Sequence, residues 1–410
     1  MNPRQGIYYG WIVVAAVFFI TAISCGIFYS FGVFFVPVMT EFGWSRSITS
    51  GTNSVAGVAY AIIVPFVGLA SDKYGYRTVT IATATMMGIG FILASTVQSV
   101  WQMYLYVGVL SGFGACAAIP LPLALVSRWF IKRQGLALGI ASAGIGTGAA
   151  LIPLLTAFLI AEYGWRTAFS ALGLLILVTY IPLTYFVIRM PKLDYVLAYE
   201  GNGNPDNSDA DADSDGDDLN LIQAIATKNF WLVFSIFALS ILSLALAMTH
   251  VVPHAMDNGI SAITAATLLT TLGFSSIFGR LTAGVISDRM GAKPVLFVGL
   301  TLQALMMVWI SKADSLWMFF LFAAFFGVAY GGNLVMIPKL TASIFGSKSM
   351  GSVYSGISVG DGVGFTIGPV MAGYIFDVSG TYQLSFWLVA AGLLVGVLLT
   401  SQLKEQKAIG

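Results

Sequence analysis

The chain has 410 residues, of which 58% are hydrophobic and 9% charged, and its formal net charge is +1. Soluble domains carry roughly 25% charged residues, so a water-facing fold of this size is excluded and lipid is the solvent that the composition selects. The near-zero charge argues against nucleic acid or an acidic partner, and Cys25 and Cys116, both within apolar runs, read as buried thiols rather than a disulfide frame or a metal site.

Arg4 precedes an apolar run from about Tyr9 to Val36 that has no small-residue cleavage pattern, so a retained first span is expected rather than a leader. Reading apolar runs of about 20 residues as spans predicts twelve helices. The first six lie at 9–37, 46–71, 77–97, 101–127, 135–161 and 167–189. The second six lie at 230–255, 261–287, 294–311, 315–344, 350–377 and 382–401. The runs are unbroken and lack the alternation of a membrane barrel. The expected class is therefore all-α and integral to a membrane.

Basic residues set the expected orientation. The termini and even-numbered connections hold Arg4, Lys73, Arg77, Arg128, Lys132, Arg133, Arg189, Lys192, Lys228, Arg289, Lys293, Lys348, Lys404 and Lys407, whereas the odd-numbered connections hold Arg46, Arg166 and Lys312. The positive-inside rule then places both termini in the cytoplasm.

Between the sixth and seventh spans, about 192–220, lies the one long polar stretch. Its core has no apolar residue larger than alanine, which suits a solvated tether. The run from Asp211 to Gly216 resembles the start of a calcium loop. The twelfth position, which needs a bidentate Glu, is Ile222, so no calcium is expected. The expected division is an N-terminal bundle at 1–190, an acidic linker at 191–228 and a C-terminal bundle at 229–410.

An offset of 216 aligns the two halves. Gly68 falls on Gly284, Asp72 on Asp288, Lys73 on Arg289, Gly75 on Gly291 and Arg77 on Lys293. Gly43, Gly57, Gly144, Gly148 and Pro153 likewise meet Gly259, Gly273, Gly360, Gly364 and Pro369. Each half is thus expected to be six helices, repeated about an axis along the membrane normal. The stretches 68–77 and 284–293 each end a helix, turn at glycine and resume. Their charges (Asp72, Lys73, Arg77, Asp288, Arg289, Lys293) read either as a tight hairpin or as a latch between halves that breaks on rocking.

This doubled pattern resembles the loop signature of the major facilitator superfamily. The stretch from Arg128-Trp129-Phe130 to Gly144, with Tyr8-Tyr9-Gly10-Trp11, is similar to the fifth- and first-helix motifs of the monocarboxylate transporter family and the related bacterial oxalate–formate group. The resemblance implies a twelve-helix major facilitator fold, no enzymatic activity and no cofactor, in a bacterial inner membrane. Read without it, the fifth-helix stretch is basic flanking residues and a small-residue face. Gly139, Gly144 and Gly148, and the row Gly356, Gly360, Gly364 and Gly368, are expected to pack helices closely and also suit sliding contacts between the halves.

A charge at the bilayer centre costs about 2.5–3.5 kcal/mol even on the lenient scale. Arg280 lies eight residues before Asp288, about 12 Å up the eighth helix, and its repeat partner is Val64. Its planar donors match a carboxylate, and the resemblance implies the same anchoring role. The chain departs from mammalian members in having Ser276 one turn before the Arg and uncharged Phe28 and Tyr29 on the first helix. Asp361, about 18 Å into the eleventh helix, and Asp257, on one face with His250 and His254, are both candidate proton carriers. Asp257 could instead cap the eighth helix. Lys339 reads as a snorkelling anchor.

The expected activity is symport of a small monocarboxylate with a proton, by a monomer. Arg280 would anchor the anion, beside a wall of Phe28, Tyr29, Ile145, Ser276, Tyr330, Asn333 and Leu334, with Asp257, Asp361 and His250 in proton coupling. Exchange of dicarboxylates such as oxalate is the nearest alternative. A drug or sugar carrier is next; an enzyme has neither a nucleophile with a base nor a phosphate loop to support it.

Overall fold

The computed structural model describes residues 8–118, 120–130, 134–191, 221–345 and 350–403. Among the described residues there is no strand. Helix α1 spans Tyr9–Phe42 with a break at Ser30. Helices α2 and α3 are Arg46–Tyr74 and Tyr76–Ala94. Helix α4 starts at Val100, widens to a π turn over Tyr104–Val109, and continues as Leu110–Ala118 and Pro120–Trp129. The stretch Gln134–Pro182 is two spans, α5 and α6, parted at Gly164. After a short turn at Leu221–Ile225 come α7 (Lys228–Asp257), α8 (Ala262–Met290), α9 (Ala292–Ile310), α10 (Leu316–Phe345), α11 (Met350–Ser379) and α12 (Gln383–Gln402). The acidic stretch and its calcium-like run fall outside the described residues.

The repeat is written into the turns. Among the described residues six glycines have positive φ, and they fall into three pairs at the same offset of 216: Gly43 with Gly259, Gly75 with Gly291, and Gly164 with Gly380. A side chain there would strain the backbone. Helix starts repeat too. Ser45 caps α2 by accepting from the Ile48 N–H, and Ser261 caps α8 by accepting from the Thr264 N–H. Capping of the eighth helix thus falls to Ser261 and leaves Asp257 free for another task. Helix α1 runs five residues beyond its expected end at 37, because Pro37 sits inside the helix and Gly43 stops it in the left-handed conformation.

The outward faces are apolar: Ile62, Phe158, Val178, Phe278, Leu305 and Leu398 are all exposed, as lipid requires and water forbids. The halves meet most extensively along two crossings, α2 on α11 and α5 on α8. A Cβ on Gly57 would lie 2.8 Å from the Gly362 carbonyl oxygen, and one on Gly273 would lie 2.6 Å from that of Gly146. The offset of 216 maps one crossing onto the other. The regular glycine rows do something else. Gly144 and Gly148 face Phe18, Thr21 and Ala22 of α1, while Gly360, Gly364 and Gly368 face α7 at Phe234–Leu246. These rows bind helices within each half and are not the sliding surface between halves. The inter-half glycines lie two residues out of step with the rows, on the opposite side of the helix at about 100° per residue.

Candidate functional site

A cavity of about 720 Å³ lies between the halves. It is lined by α1, α2, α4 and α5 from the first half and by α7, α8, α10 and α11 from the second. Among the described residues, α3, α6, α9 and α12 contribute nothing to it.

The cavity is sealed on one side and open on the other. The sealed side holds the α1–α2 and α7–α8 turns, and is called the far side here; the open side holds the residues nearest the termini. Toward the open end the wall is Leu138, Gly139, Gly284, Val285 and Asp288, and a Cβ added at Gly139 or Gly284 would meet nothing within 4 Å. At the floor the Phe28 and Phe365 rings pack edge to face at 5.4 Å, and the hydroxyls of Tyr29 and Tyr330 meet at 3.4 Å. Beyond the floor, Asn53 donates to Thr249 across the halves at 2.8 Å.

Arg280 is 8% exposed and lines this cavity. Its Nη1 donates to the Ser142 carbonyl of α5 at 3.1 Å, while Nε and Nη2 have no hydrogen-bond partner. Among the described residues no carboxylate pairs with it. Burying a guanidinium with donors idle is costly. Asp361 lines the same cavity as Tyr60 and leaves Oδ1 buried without a partner.

Phe28, Tyr29, Ile145, Tyr330 and Leu334 share the wall with these two. Ser276 and Asn333 do not. The Ser276 hydroxyl turns back to the Gly273 carbonyl at 2.7 Å, and its backbone packs on Gly331 of α10. Asn333 faces away, donating to Gln303 of α9 at 2.7 Å within a buried chain that includes Ser240 and Ser243. Asn333 precedes Leu334 by one residue, and that rotation carries it to another neighbour.

Asp257 and His250 lie in a different layer, at the far-side seal. Asp257 pairs with Arg46 of α2 at 2.6 Å. Arg46 also donates to the Tyr382 hydroxyl and stacks over the Phe376 ring at 3.8 Å. Asp377 caps α2, accepting from the Arg46 and Ser47 N–H groups at 2.8 Å each. His250 takes the next place: Nδ1 lies 3.0 Å from the Tyr382 hydroxyl and Nε2 2.9 Å from the Pro369 carbonyl. A carbonyl only accepts, so Nε2 carries the proton and Nδ1 accepts from Tyr382. Both ring nitrogens are thereby satisfied by a neutral imidazole.

Three of the glycine-turn charges, Asp288, Arg77 and Lys293, find partners within their own halves. Asp288 pairs with Lys339 of α10 at 2.5 Å, which gives that lysine a partner beyond its expected anchoring role. Arg77 donates to the Ile188 carbonyl at 3.1 Å and its repeat mate Lys293 to that of Leu403 at 2.6 Å, each tying down the last helix of its half. Lys73 and Arg289 are exposed, and the Asp72 side chain is outside the described residues. Composition and spacing carried no signal for Tyr60, Cys25, Tyr382 or Asp377. Arg46 did carry one, as a cation on the connection where the charge bias disfavours it. The two motif stretches meet each other: Tyr8 donates to the Trp129 carbonyl and the Trp11 ring packs on Phe130 at 4.8 Å.

Comparison with known proteins agrees with this architecture. Residues 17–257 and 233–407 match the family model of the Major Facilitator Superfamily. The chain is 26% identical over 417 residues to Monocarboxylate transporter 12 of Mus musculus, covering 97% of this chain and 86% of that one. It is 28% identical to Monocarboxylate transporter 4 of the same organism, over 95% of this chain and 82% of the other. Among solved structures it is similar to a bacterial homologue of the human lysosomal transporter Spinster in an inward-facing and occupied conformation. There the TM-score is 0.74 at 14% identity, covering 97% of both chains.

Proposed function

Because the chain belongs to the major facilitator superfamily, a family of transport proteins, we propose that it carries a small monocarboxylate across the membrane together with a proton. The observation that carries this reading is the Arg280 guanidinium, held in an apolar two-half cavity by one carbonyl with Nε and Nη2 unspent. A carboxylate can accept from that fork with both oxygens. The relatives named as monocarboxylate transporters, matched over nearly the whole chain, support the same cargo.

In this reading the proton goes to Asp361, which shares the cavity with Arg280, while Asp257 serves the far-side seal. Anion on Arg280 and proton on Asp361 leave the cavity neutral relative to its empty state, which lets the two bundles, 1–190 and 229–410, rock about the crossings of α2 on α11 and α5 on α8. The positive-inside count assigns the open side to the cytoplasm. Exchange of dicarboxylates is less well supported, since a second negative charge calls for a second cation, and Arg280 is the one cation among the described lining residues.

The test is uptake of labelled lactate into proteoliposomes under an imposed pH gradient. Arg280→Gln is expected to abolish uptake and the accompanying proton movement. Near-normal uptake by that variant removes the anchor and the proposed cargo with it.

A further inference from the structure

The repeat is broken at the far side, and the break decides where an acid finds its cation. Glu41 near the end of α1 and Asp257 at the end of α7 are mates at the offset of 216. In the first half the acid is held by its own bundle. Glu41 pairs with Arg166 at the start of α6 and accepts from the Trp165 Nε1 at 2.6 Å. The mates of Trp165 and Arg166 in the second half are Thr381 and Tyr382. Neither carries a positive charge, and among the described residues no cation of its own half pairs with Asp257. Asp257 pairs instead with Arg46 of the other half, at 2.6 Å, while the mate of Arg46 is Ala262. The cation has changed places between the repeats, from the acid's own bundle to the start of the helix opposite.

Tyr382 is the pivot of this exchange. The Arg46 guanidinium reaches Asp257 through Nη2, at 2.6 Å, and the Tyr382 hydroxyl through Nη1. Both residues thus lie within the span of one guanidinium, so a cation at position 382 would meet the Asp257 carboxylate as Arg166 meets Glu41. The phenol cannot neutralise the acid. It accepts from Arg46 instead, and its ring centre lies 5.2 Å from the guanidinium carbon, an arrangement that draws the cation of the other half inward. Its own proton goes to the His250 Nδ1 at 3.0 Å, so the tyrosine is fixed on both sides. We propose that Tyr382 is a positioning residue for transport: standing where the first half has an arginine, it leaves Asp257 dependent on Arg46 and converts a pair within one bundle into a latch between two. Glu41 and Arg166 show the same acid with its cation supplied from within, where it joins nothing across the halves. The latch acts at the far side whatever cargo the cavity takes.

The experiment reads the far-side distance between the halves in the full-length protein, by spin labels on the repeat mates Thr96→Cys and Lys312→Cys with Cys25 and Cys116 replaced. Tyr382→Arg gives Asp257 a cation from its own half and sets a like charge beside Arg46. It is expected to raise the ratio of open to closed far sides about fivefold or more. Adding Arg46→Gln to that variant is expected to change the ratio by less than about twofold, since the pair it breaks is already lost. Tyr382→Phe removes the hydroxyl without supplying a cation and is expected to stay mostly closed. The reverse exchange is tested in the other half. Ala262 is exposed at the start of α8, so a long side chain fits there. Ala262→Arg with Arg166→Tyr offers Glu41 a cation across the halves and none within its own. In an Arg46→Gln background this combination is expected to bring back the short distance. An unchanged distribution in Tyr382→Arg, or equal opening by Tyr382→Phe, overturns the proposal. Failure of the short distance to return in the reverse exchange overturns it too, and decides alone should Tyr382→Arg not fold.

Discussion

The Arg46 guanidinium of α2 reaches across the two halves to Asp257 of α7, at 2.6 Å. The pair does not stand alone. Tyr382 accepts from Arg46, the Phe376 ring lies under the guanidinium, and Asp377 holds the start of α2 through the Arg46 and Ser47 amides. Three elements of the second half therefore grip one helix end of the first. On the opposite side no comparable grip occurs among the described residues, since Asp288 pairs with Lys339 inside the second half. This asymmetry is what holds the cavity closed at one end and open at the other.

Weakening the grip is expected to shift the balance between conformations. Arg46 and Asp257 are 10% and 34% exposed in their side chains, so solvent screens part of the attraction. Loss of the pair is then worth about 1–2 kcal/mol, less than the 3–5 kcal/mol of a fully buried pair. That is about a five- to thirtyfold change in the ratio of closed to open far sides. Spin labels on Thr96→Cys and Lys312→Cys, in a background with Cys25 and Cys116 replaced, report the far-side distance between halves. Arg46→Gln is expected to enrich the longer distance, and an unchanged distribution would show that the grip does not set the balance.

The inter-half glycines make a separate prediction. A Cβ on Gly57 would stand 2.6 Å from the Thr366 amide nitrogen and 2.8 Å from the Phe365 carbonyl carbon. Backbone cannot step aside as a side chain can, so α2 and α11 must part. Overpacking of this kind costs about 1–3 kcal/mol. Gly57→Ala is expected to lower transport at least tenfold and open the far side with little change in melting temperature. Gly148→Ala, which drives a methyl into the Ala22 carbonyl inside one half, is expected to lower the melting temperature instead. Equal effects on both readouts would refute the division of labour between the two glycine sets.

Much of this was legible in the sequence, and the rest failed for identifiable reasons. Span number, the repeat and the turns at Gly75 and Gly291 followed from apolar runs and a fixed offset, because lipid punishes any interruption and a left-handed turn admits little but glycine. Arg280 could be picked out because it interrupts an apolar run and has no charged repeat mate. What spacing does not encode is the neighbour each helix face will meet. The row Gly356, Gly360, Gly364 and Gly368 is visible as a row, yet its partner is α7 of the same half, while the crossing with α2 falls to Gly362. Asn333 and Leu334 sit at nearly the same depth and face different helices for the same reason. The pairing of Asp257 with Arg46 was not legible because the two lie 211 residues apart in the chain.

Asn333 gives a direct test of that rotation. Its amide donates to the Gln303 oxygen at 2.7 Å, and Gln303 in turn donates to Ser243 at 3.2 Å and accepts from Ser240 at 2.9 Å. Removing the amide leaves part of a buried polar chain unsatisfied, which costs about 1–3 kcal/mol. Asn333→Ala is expected to lower the unfolding temperature in detergent while the substrate affinity of the folded fraction stays within about twofold, on the order of 0.4 kcal/mol. A large affinity change with an unaltered melting temperature would place Asn333 at the cavity after all.

The shape of the cation, and not its charge alone, is the last expectation. Arg280 spends Nη1 on the Ser142 carbonyl at 3.1 Å and keeps Nε and Nη2 for another partner. A lysine at the same place has one nitrogen for both tasks. Its ammonium cannot hold the α5 carbonyl and also offer a planar pair of donors to a carboxylate. One charge-assisted hydrogen bond is worth about 1.5–3 kcal/mol, so Arg280→Lys is expected to weaken lactate binding about ten- to a hundredfold. Charge is preserved, so the number of protons moved per lactate should not change. Arg280→Gln should bind no lactate at all. Full affinity in the lysine variant would mean that a point charge suffices and that the fork, with its anchor on Ser142, has no part in recognising the cargo.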